Sequence, residues 1–381
     1  MLGIFKKIFT FPFYSRNKPV LLTLGISFLN RAWLFAFVYL GLRFFPSREV
    51  YDLLEKSPGL KPFLDGFLRW DSGWYVHIVK NGYEYIEGSY CNVAFFPLYP
   101  LIVKLADNII CSPAVSAIII SNACFLLGMI MLYRLAEKKF NDACALKTVI
   151  LFSLFPFSFF FSAAYSESLF LLLAICSFYF AEEKKWAAAS LCAMFASAAR
   201  VTGVFLLPAL LLRYLEEIDF DFRKIKPDIA YIAIIPLGLL SFMFFLNYKF
   251  GDPLLFLKVQ SVWERQLFSF NHHMYAFKRV LTDYKGNLYF FYMVLTLLFT
   301  GSLWPVARRL GFSYAVFSFF MIFIPFVAGL EGMGRFLSTV FPSFMAACSI
   351  RNKYLFFALC AISTLLLMIF SFIFSHWGWM T

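Results

Sequence analysis

The sequence predicts an all-helical integral membrane protein, and three observations carry that prediction. Hydrophobic residues make up 61% of the 381 positions and charged residues only 15%, whereas a soluble domain carries roughly 25% charged residues. Apolar runs close to the ~20 residues that cross a bilayer recur from near residue 20 to the carboxyl end. Lysine and arginine fall in short clusters between those runs. The formal net charge of +12 is therefore the signal that orients a membrane protein, with its cations on the cytoplasmic side. It is not a nucleic-acid footprint, and no nucleic-acid partner is expected.

Residues 1–19 are basic and aromatic, with Lys6, Lys7, Arg16 and Lys18. No small-residue cleavage site follows the first apolar run, so the segment reads as a retained signal anchor. The first span covers about 20–43 and carries Asn30-Arg31 near its middle. A cation at that depth either faces the bundle interior or a wet cavity, or snorkels toward a headgroup, and the sequence leaves both open. Residues 44–112 form a long first extracytoplasmic loop. Its apolar end, 94–110, contains Pro97 and Pro100, which oppose one regular helix. Counting it as a span would also place Arg134, Lys138 and Lys139 outside, so it reads as an interfacial or re-entrant element. Cys91 and Cys111 in this loop are a candidate disulfide only if the loop faces an oxidising space; the other cysteines read as small hydrophobes.

Further spans are expected near 114–133, 145–163, 166–181, 186–199, 200–215, 229–247, 288–307, 312–329, 336–350 and 354–375. That makes about eleven in a single domain, with a second large extracytoplasmic loop over 248–287. Several are short for a ~30 Å hydrocarbon core, so the fourth to sixth are expected to be tilted, broken or partly re-entrant. With a cytoplasmic amino terminus, the cytoplasmic loops collect Arg134/Lys138/Lys139, Lys184/Lys185, Arg213/Arg223/Lys224/Lys226, Arg308/Arg309 and Arg351/Lys353. Every short basic cluster then lies on one side.

The opposite side collects the ionisable residues that orientation does not explain. They are Arg69-Trp70-Asp71-Ser72-Gly73-Trp74-Tyr75, Tyr165-Ser166-Glu167-Ser168, Ala199-Arg200-Val201-Thr202-Gly203, the 248–287 loop, and Glu331-Gly332-Met333-Gly334-Arg335. Each has a bland reading. The first is an interfacial aromatic belt with an incidental Asp; Glu167 is a structural ion-pair partner, Arg200 snorkels, and Gly332 and Gly334 make a tight turn. Together on one face they point to a shared site.

The chemistry that fits is sugar transfer from a lipid-linked donor. Such a donor needs a greasy groove for its chain, cations for its phosphate and a base for the acceptor hydroxyl. The Phe-rich bundle supplies the first, Arg200 and Arg335 the second, and Asp71 the third. Asp52 and Asp65 in the same loop lack Asp71's aromatic neighbours. The chain has no P-loop, dinucleotide fingerprint or zinc-ligand spacing, and neither a metal nor another cofactor is expected. His272-His273 reads as a solvated loop pair. A transporter or a lipid or oligosaccharide flippase is the alternative, but the candidate residues gather at one face and the sequence shows no clear repeat. A non-catalytic scaffold is the third reading, favoured only if Asp71 is dispensable.

The blocks Arg69-Trp70-Asp71, Ile78, Gly82-Tyr83, Ala94-Phe95-Phe96-Pro97 and Pro100 resemble the first luminal loop of the PIG-V family, the second mannosyltransferases of glycosylphosphatidylinositol assembly and their prokaryotic relatives. The resemblance continues at Tyr165-Ser166-Glu167-Ser168-Leu169-Phe170, at Ala199-Arg200-Val201-Thr202-Gly203, at Gln260 with Trp263, and at Gly334-Arg335-Phe336 ahead of Phe341-Pro342. It implies a multi-span GT-C fold, Asp71 as the catalytic residue, and polyprenyl- or dolichyl-phosphate mannose as donor with inversion at the anomeric carbon. Within these blocks Arg69, Trp70, Tyr165, Glu167, Gln260 and Trp263, together with Trp74, whose aromatic face beside Asp71 suits a sugar ring, are candidate substrate-binding residues. Thr202 stands where an Asn is expected, and the chain is shorter than eukaryotic members. The acceptor therefore stays open among a glycolipid, a glycan and a protein. The membrane implied is the plasma membrane in a prokaryote and the endoplasmic reticulum in a eukaryote.

Overall fold

The computed structural model describes residues 12–47, 50–55, 57–263 and 286–380, and among these every regular element is helical. The amino-terminal basic residues Lys6 and Lys7 and the pair His272-His273 lie outside the described residues, as does most of the 248–287 loop. The first helix, α1 (Pro12–Phe44), contains the first expected span. The long loop then holds α2 (Asp71–Asn81) and α3 (Leu98–Ile110). After it come α4 (Pro113–Lys139), α5 (Asp142–Ser153), α6 (Glu167–Glu182), α7 (Trp186–Ala199), α8 (Leu206–Glu217) and α9 (Leu237–Phe250). The carboxyl half adds α10 (Gly286–Leu310), α11 (Phe312–Ala328), the short α12 (Met333–Leu337) and α13 (Phe341–Ala347), and α14 (Lys353–Ser375). Among the described residues, 5 segments are long and apolar enough to cross a membrane as single helices: 19–44, 113–139, 227–250, 287–310 and 353–375. The protein is an integral membrane protein.

The element expected over 94–110 is a helix of 13 residues, about 20 Å long and too short for the hydrocarbon core. Leu101, Leu105 and Ile109 form an exposed apolar stripe at i, i+4 and i+8, while Tyr99, Pro100 and Val103 are buried on the other side against α4. That is the pattern of an interfacial helix. Cys91 is buried and Cys111 exposed, and both are free.

The run 145–163 is not one helix. It is helical to Ser153 and then irregular, with one tight 3-10 turn at Ser158–Phe161. Pro156 lies just past the break; its ring and missing N–H oppose a continuing helix and push the preceding residue away from helical angles. Non-helical backbone at this depth must find its hydrogen bonds inside the protein. Arg31 supplies them. Its Nη1 donates to the Ser158 carbonyl at 2.7 Å and its Nη2 to the Ser153 carbonyl at 3.1 Å. Ser158 Oγ and Ser162 Oγ also accept, at 3.1 and 3.3 Å, and the guanidinium lies 4.4 Å from the centre of the Phe125 ring. The choice left open by the sequence thus resolves to the bundle interior, where Arg31 and the Ser158 hydroxyl, which also donates to the Ser153 carbonyl at 2.8 Å, satisfy the broken backbone.

Two other expected spans are subdivided beside candidate site residues, and the 229–247 run opens with a 3-10 stretch over Pro227–Ile234 before α9. The 200–215 run opens with a 3-10 turn at Val201–Phe205 before α8, and the 336–350 run is split between α12 and α13. Each of these two breaks lies beside a candidate site residue. α7 stops because Arg200 adopts extended backbone, and Gly332 takes the left-handed conformation (φ 70°) just ahead of Arg335.

Helix α6 separates two charged sets, with Glu167 at one end and Glu182 at the other, about 22 Å apart along its axis. At the Glu182 end the basic clusters converge. Glu182 accepts from Arg213 Nε and Nη2 at 3.0 Å each, from Lys139 Nζ at 2.8 Å and from Tyr314 Oη at 3.0 Å. Lys138 pairs with Glu183, Lys184 with Glu217, and Arg309 donates to the Ala346 carbonyl. The other end carries Asp71, Glu167, Arg200 and Arg335.

Candidate active site

Asp71 is the first residue of α2, and an unusual backbone puts it there. Trp70 has φ +55° and ψ −116°, a conformation that a bulky residue adopts only where its surroundings hold it. Those surroundings are on three sides. Tyr51 Oη donates to the Trp70 carbonyl at 3.1 Å, and burial pushes the Tyr51 hydroxyl well above its ordinary pKa range, which keeps it a donor. Trp70 Nε1 donates to the Gly378 carbonyl at 3.3 Å. The Trp70 ring meets Trp377 and Trp379 edge to face, with centroids 5.6 and 4.8 Å away. The turn is completed by Tyr165, whose hydroxyl donates to the Arg69 carbonyl at 3.1 Å and accepts from the Asp71 N–H at 3.2 Å.

The Asp71 carboxylate meets Arg335: Nη1 lies 2.5 Å from Oδ2. Arg335 continues the chain, with its Nε 3.0 Å from Glu167 Oε1. The same oxygen accepts from Arg200 Nη1. Four side chains from α2, α6, the end of α7 and α12 thus form one line, Asp71–Arg335–Glu167–Arg200. Two cations and two anions leave it neutral. Glu167 is almost fully buried, with a side chain 1% exposed; Arg335 is 9% exposed, Arg200 12% and Asp71 15%. Access is therefore greatest at Asp71, and Glu167 is the fixed anion that ties both guanidiniums. Phe336 backs the pair, with its ring centre 5.3 Å from each.

Close backbone approach makes this line possible. A Cβ on Gly334 would sit 2.4 Å from the Phe157 ring, and one on Gly203 would sit 2.3 Å from the Ala196 carbonyl group. The structure therefore adds a packing requirement to the tight turn that the glycines suggested.

The remaining candidates divide into two groups. Arg69 and Trp70 face away from the carboxylate. The Arg69 Nε donates to the Ser375 carbonyl at 2.8 Å, its Nη2 pairs with Asp65 at 2.6 Å, and its guanidinium covers Trp377. Both residues anchor the loop to the end of α14. Trp74, about one turn along α2 from Asp71, meets Trp263 edge to face at 5.8 Å. Phe95 and Tyr90 complete this aromatic wall, at 6.0 and 4.7 Å from Trp263. The Trp263 Nε1 is buried without a hydrogen-bond partner among the described residues, and Gln260 Nε2 donates to the Phe256 carbonyl at 3.2 Å. Glu331 accepts from Tyr289 Oη at 2.5 Å and does not join the Asp71 line.

Sequence reasoning missed Tyr51, Trp377 and Trp379, which hold the Trp70 turn, and the bond from Tyr75 Oη to Ser166 Oγ at 2.8 Å. The clustered tryptophans near the carboxyl end were the one available signal. Among the described residues, no group of three or more His, Cys, Asp or Glu side chains is placed to hold a metal ion.

Helix order, broken spans and a charged site at one end define a GT-C-type membrane fold. Comparison with solved structures agrees: ArnT from Cupriavidus metallidurans, solved bound to undecaprenyl phosphate, superposes with a TM-score of 0.54 over 89% of this chain and 62% of that one, at 12% identity. The family model for Mannosyltransferase (PIG-V) matches residues 46–252, and the chain belongs to that family. Among curated relatives, GPI mannosyltransferase 2 of Drosophila pseudoobscura pseudoobscura is 33% identical over 118 residues, 28% of this chain and 25% of that protein. GPI mannosyltransferase 2 of Cryptococcus neoformans is 31% identical over 150 residues, 36% of this chain and 34% of that protein. The matches thus span about a quarter to a third of the relatives' own length.

Proposed function

We propose that the protein is an inverting membrane glycosyltransferase that moves mannose, or another hexose, from a polyprenyl- or dolichyl-phosphate donor to a glycolipid, glycan or protein acceptor. The observation that carries this reading is the contact between Asp71 and Arg335. It sets a reachable carboxylate beside a cation suited to phosphate, at the end of a greasy bundle. Asp71 acts as general base toward the acceptor hydroxyl. Arg200 and Arg335 take the donor phosphate through charge-assisted hydrogen bonds. Trp74, about one turn along α2 from Asp71, and its partner Trp263 offer aromatic faces to the sugar, with Gln260 beside them in sequence. Family membership supports the sugar, and the undecaprenyl phosphate bound by the structural neighbour supports the lipid phosphate.

A guanidinium presents a planar fork that an ammonium lacks. Arg200→Lys should therefore raise the donor KM by at least ~10-fold at normal protein yield, since each bond to a charged group contributes about 1.5–3 kcal/mol. Steady-state transfer assays over a donor titration decide this, and an unchanged KM would remove Arg200 from the phosphate site. The reading routes no step through a resident cofactor, so transfer is expected to persist in excess EDTA; loss of activity restored by a divalent cation would contradict it. It also places the site on the extracytoplasmic face, of the plasma membrane in a prokaryote or the endoplasmic reticulum in a eukaryote. Cysteine-accessibility labelling should find position 71 outside and position 308 inside. Both on one side would overturn the topology.

A further inference from the structure

Arg335 does something that Arg200 cannot. Of the two guanidiniums only Arg335 touches the base: Nη1 lies on Asp71 Oδ2 while Nε lies on Glu167 Oε1. Arg200 reaches Glu167 alone among the described carboxylates. Among the described residues no group accepts a hydrogen bond from Arg335 Nη2. The residue therefore faces a buried anion through its Nε in an ion pair without a hydrogen bond, has Nη1 on the base, and keeps Nη2 for an incoming oxyanion.

The charges of the proposed reaction give this placement a use. The donor is a phosphodiester with one negative charge. In transfer, the acceptor oxygen forms a bond to the anomeric carbon. The bond from that carbon to the phosphate oxygen breaks, and its electron pair stays on the phosphate. The acceptor proton goes to Asp71. Asp71 thus loses one negative charge as the departing lipid phosphate gains one, and the total is unchanged. A cation in contact with both exchanges its attraction to the Asp71 carboxylate for attraction to the departing phosphate without moving through the site, so the two charge changes offset each other at one guanidinium.

We propose that Arg335 is catalytic in the transfer step itself, as the single guanidinium shared by the general base and the leaving phosphate. Its role rests on the functional reading above, but goes beyond binding the donor. Glu167 is then a positioning residue. Buried and pinned between both arginines, it fixes the Nε edge of Arg335 so that the opposite edge spans the two reacting charges. Arg200 serves the donor's ground-state charge.

The test is a double-mutant cycle read in single turnovers at saturating polyprenyl-phosphate mannose, with donor Kd measured separately by titration. Arg335→Gln is expected to lower the saturated rate by ~10²–10³-fold, as loss of one preorganised transition-state donor does elsewhere. Asp71→Asn should lower it comparably. The double variant Asp71→Asn/Arg335→Gln should be little slower than either single one, because residues that act as a unit lose their effect together. A weakened donor Kd with a saturated rate near the parent's would overturn the proposal and leave Arg335 a ground-state ligand. Multiplying losses in the double variant would overturn it too, since base and leaving group would then be uncoupled. Where Arg335→Gln leaves too little folded protein, Arg335→Lys keeps the charge but cannot reach both Asp71 and Glu167. It should lose at least ~10-fold at saturation, and a native rate would overturn the sharing. Failure of the functional reading shows separately, as an Asp71→Asn rate within a few-fold of the parent.

Discussion

Asp71→Asn is expected to fold, insert and bind donor, and to transfer sugar at least ~10²-fold more slowly than the parent, the lower end of what general base catalysis contributes. The substitution keeps the shape of the side chain at the first position of α2, and Tyr165, Tyr51 and Trp377 still hold the Trp70 turn through backbone and ring contacts. What it removes is the group that accepts the acceptor's proton as the new bond forms. Asp71→Glu should recover little. Its extra methylene displaces the carboxylate from a position set by a helix start on one side and Arg335 on the other, and reacting atoms must sit within ~3–3.5 Å of one another. Single-turnover transfer by the purified Asn variant is the measurement. A rate close to the parent's would make Asp71 an interfacial residue and move the search for the base to Glu331, because Glu167 is too deeply buried to meet an acceptor.

Gly203→Ala is expected to cost about 3 kcal/mol or more, at the upper end of overpacking penalties. A Cβ there would lie 2.3 Å from the Ala196 carbonyl carbon and oxygen and 2.4 Å from the Ser197 nitrogen. All three are backbone atoms of α7, which a rotamer change cannot move aside. Moving the helix would disturb a second contact as well, because Gly238 packs against the same turn, its Cβ position 2.1 Å from the Met194 carbonyl oxygen. α7 ends at Arg200, so displacement would also pull Arg200 from Glu167. Gly25→Ala is the control, since nothing lies within 4 Å of its Cβ position and Ala favours a helix by about 1 kcal/mol. The temperature at which half the detergent-solubilised protein remains monodisperse should fall well below the parent's for Gly203→Ala and not for Gly25→Ala. Equal values for the two would contradict the close-packing account.

Much of this arrangement was legible in the sequence, for physical reasons. Charges are costly inside a bilayer, so Glu167, Arg200 and Arg335 had to be explained, and the one-sided basic clusters gave the face to which they belonged. The structure joins those three to Asp71 in a single line. Other features were not legible because they depend on contacts distant in the chain. Arg31 lies 122 and 127 positions from the carbonyls it satisfies, so its direction could not be read from its own helix. Pro156 was visible, but the apolar run around it reads as continuous; the break needs Arg31 to make it tolerable. Arg69 and Trp70 adjoin Asp71 in sequence yet point away from it, because the positive φ of Trp70 reverses the chain between them. Among the residues that hold that turn, Gly378 lies 308 positions away and Tyr51 only 19.

The central claim is that sugar arrives on a lipid phosphate and leaves through the Asp71 site. Purified protein incubated with labelled polyprenyl-phosphate mannose and a membrane lipid extract tests it most directly, with GDP-mannose as the parallel donor. Label should pass from the lipid phosphate to an acceptor with inverted anomeric configuration, and none should pass from the nucleotide. Translocation of the labelled donor across a vesicle bilayer without any transfer, or transfer from GDP-mannose alone, would contradict the account.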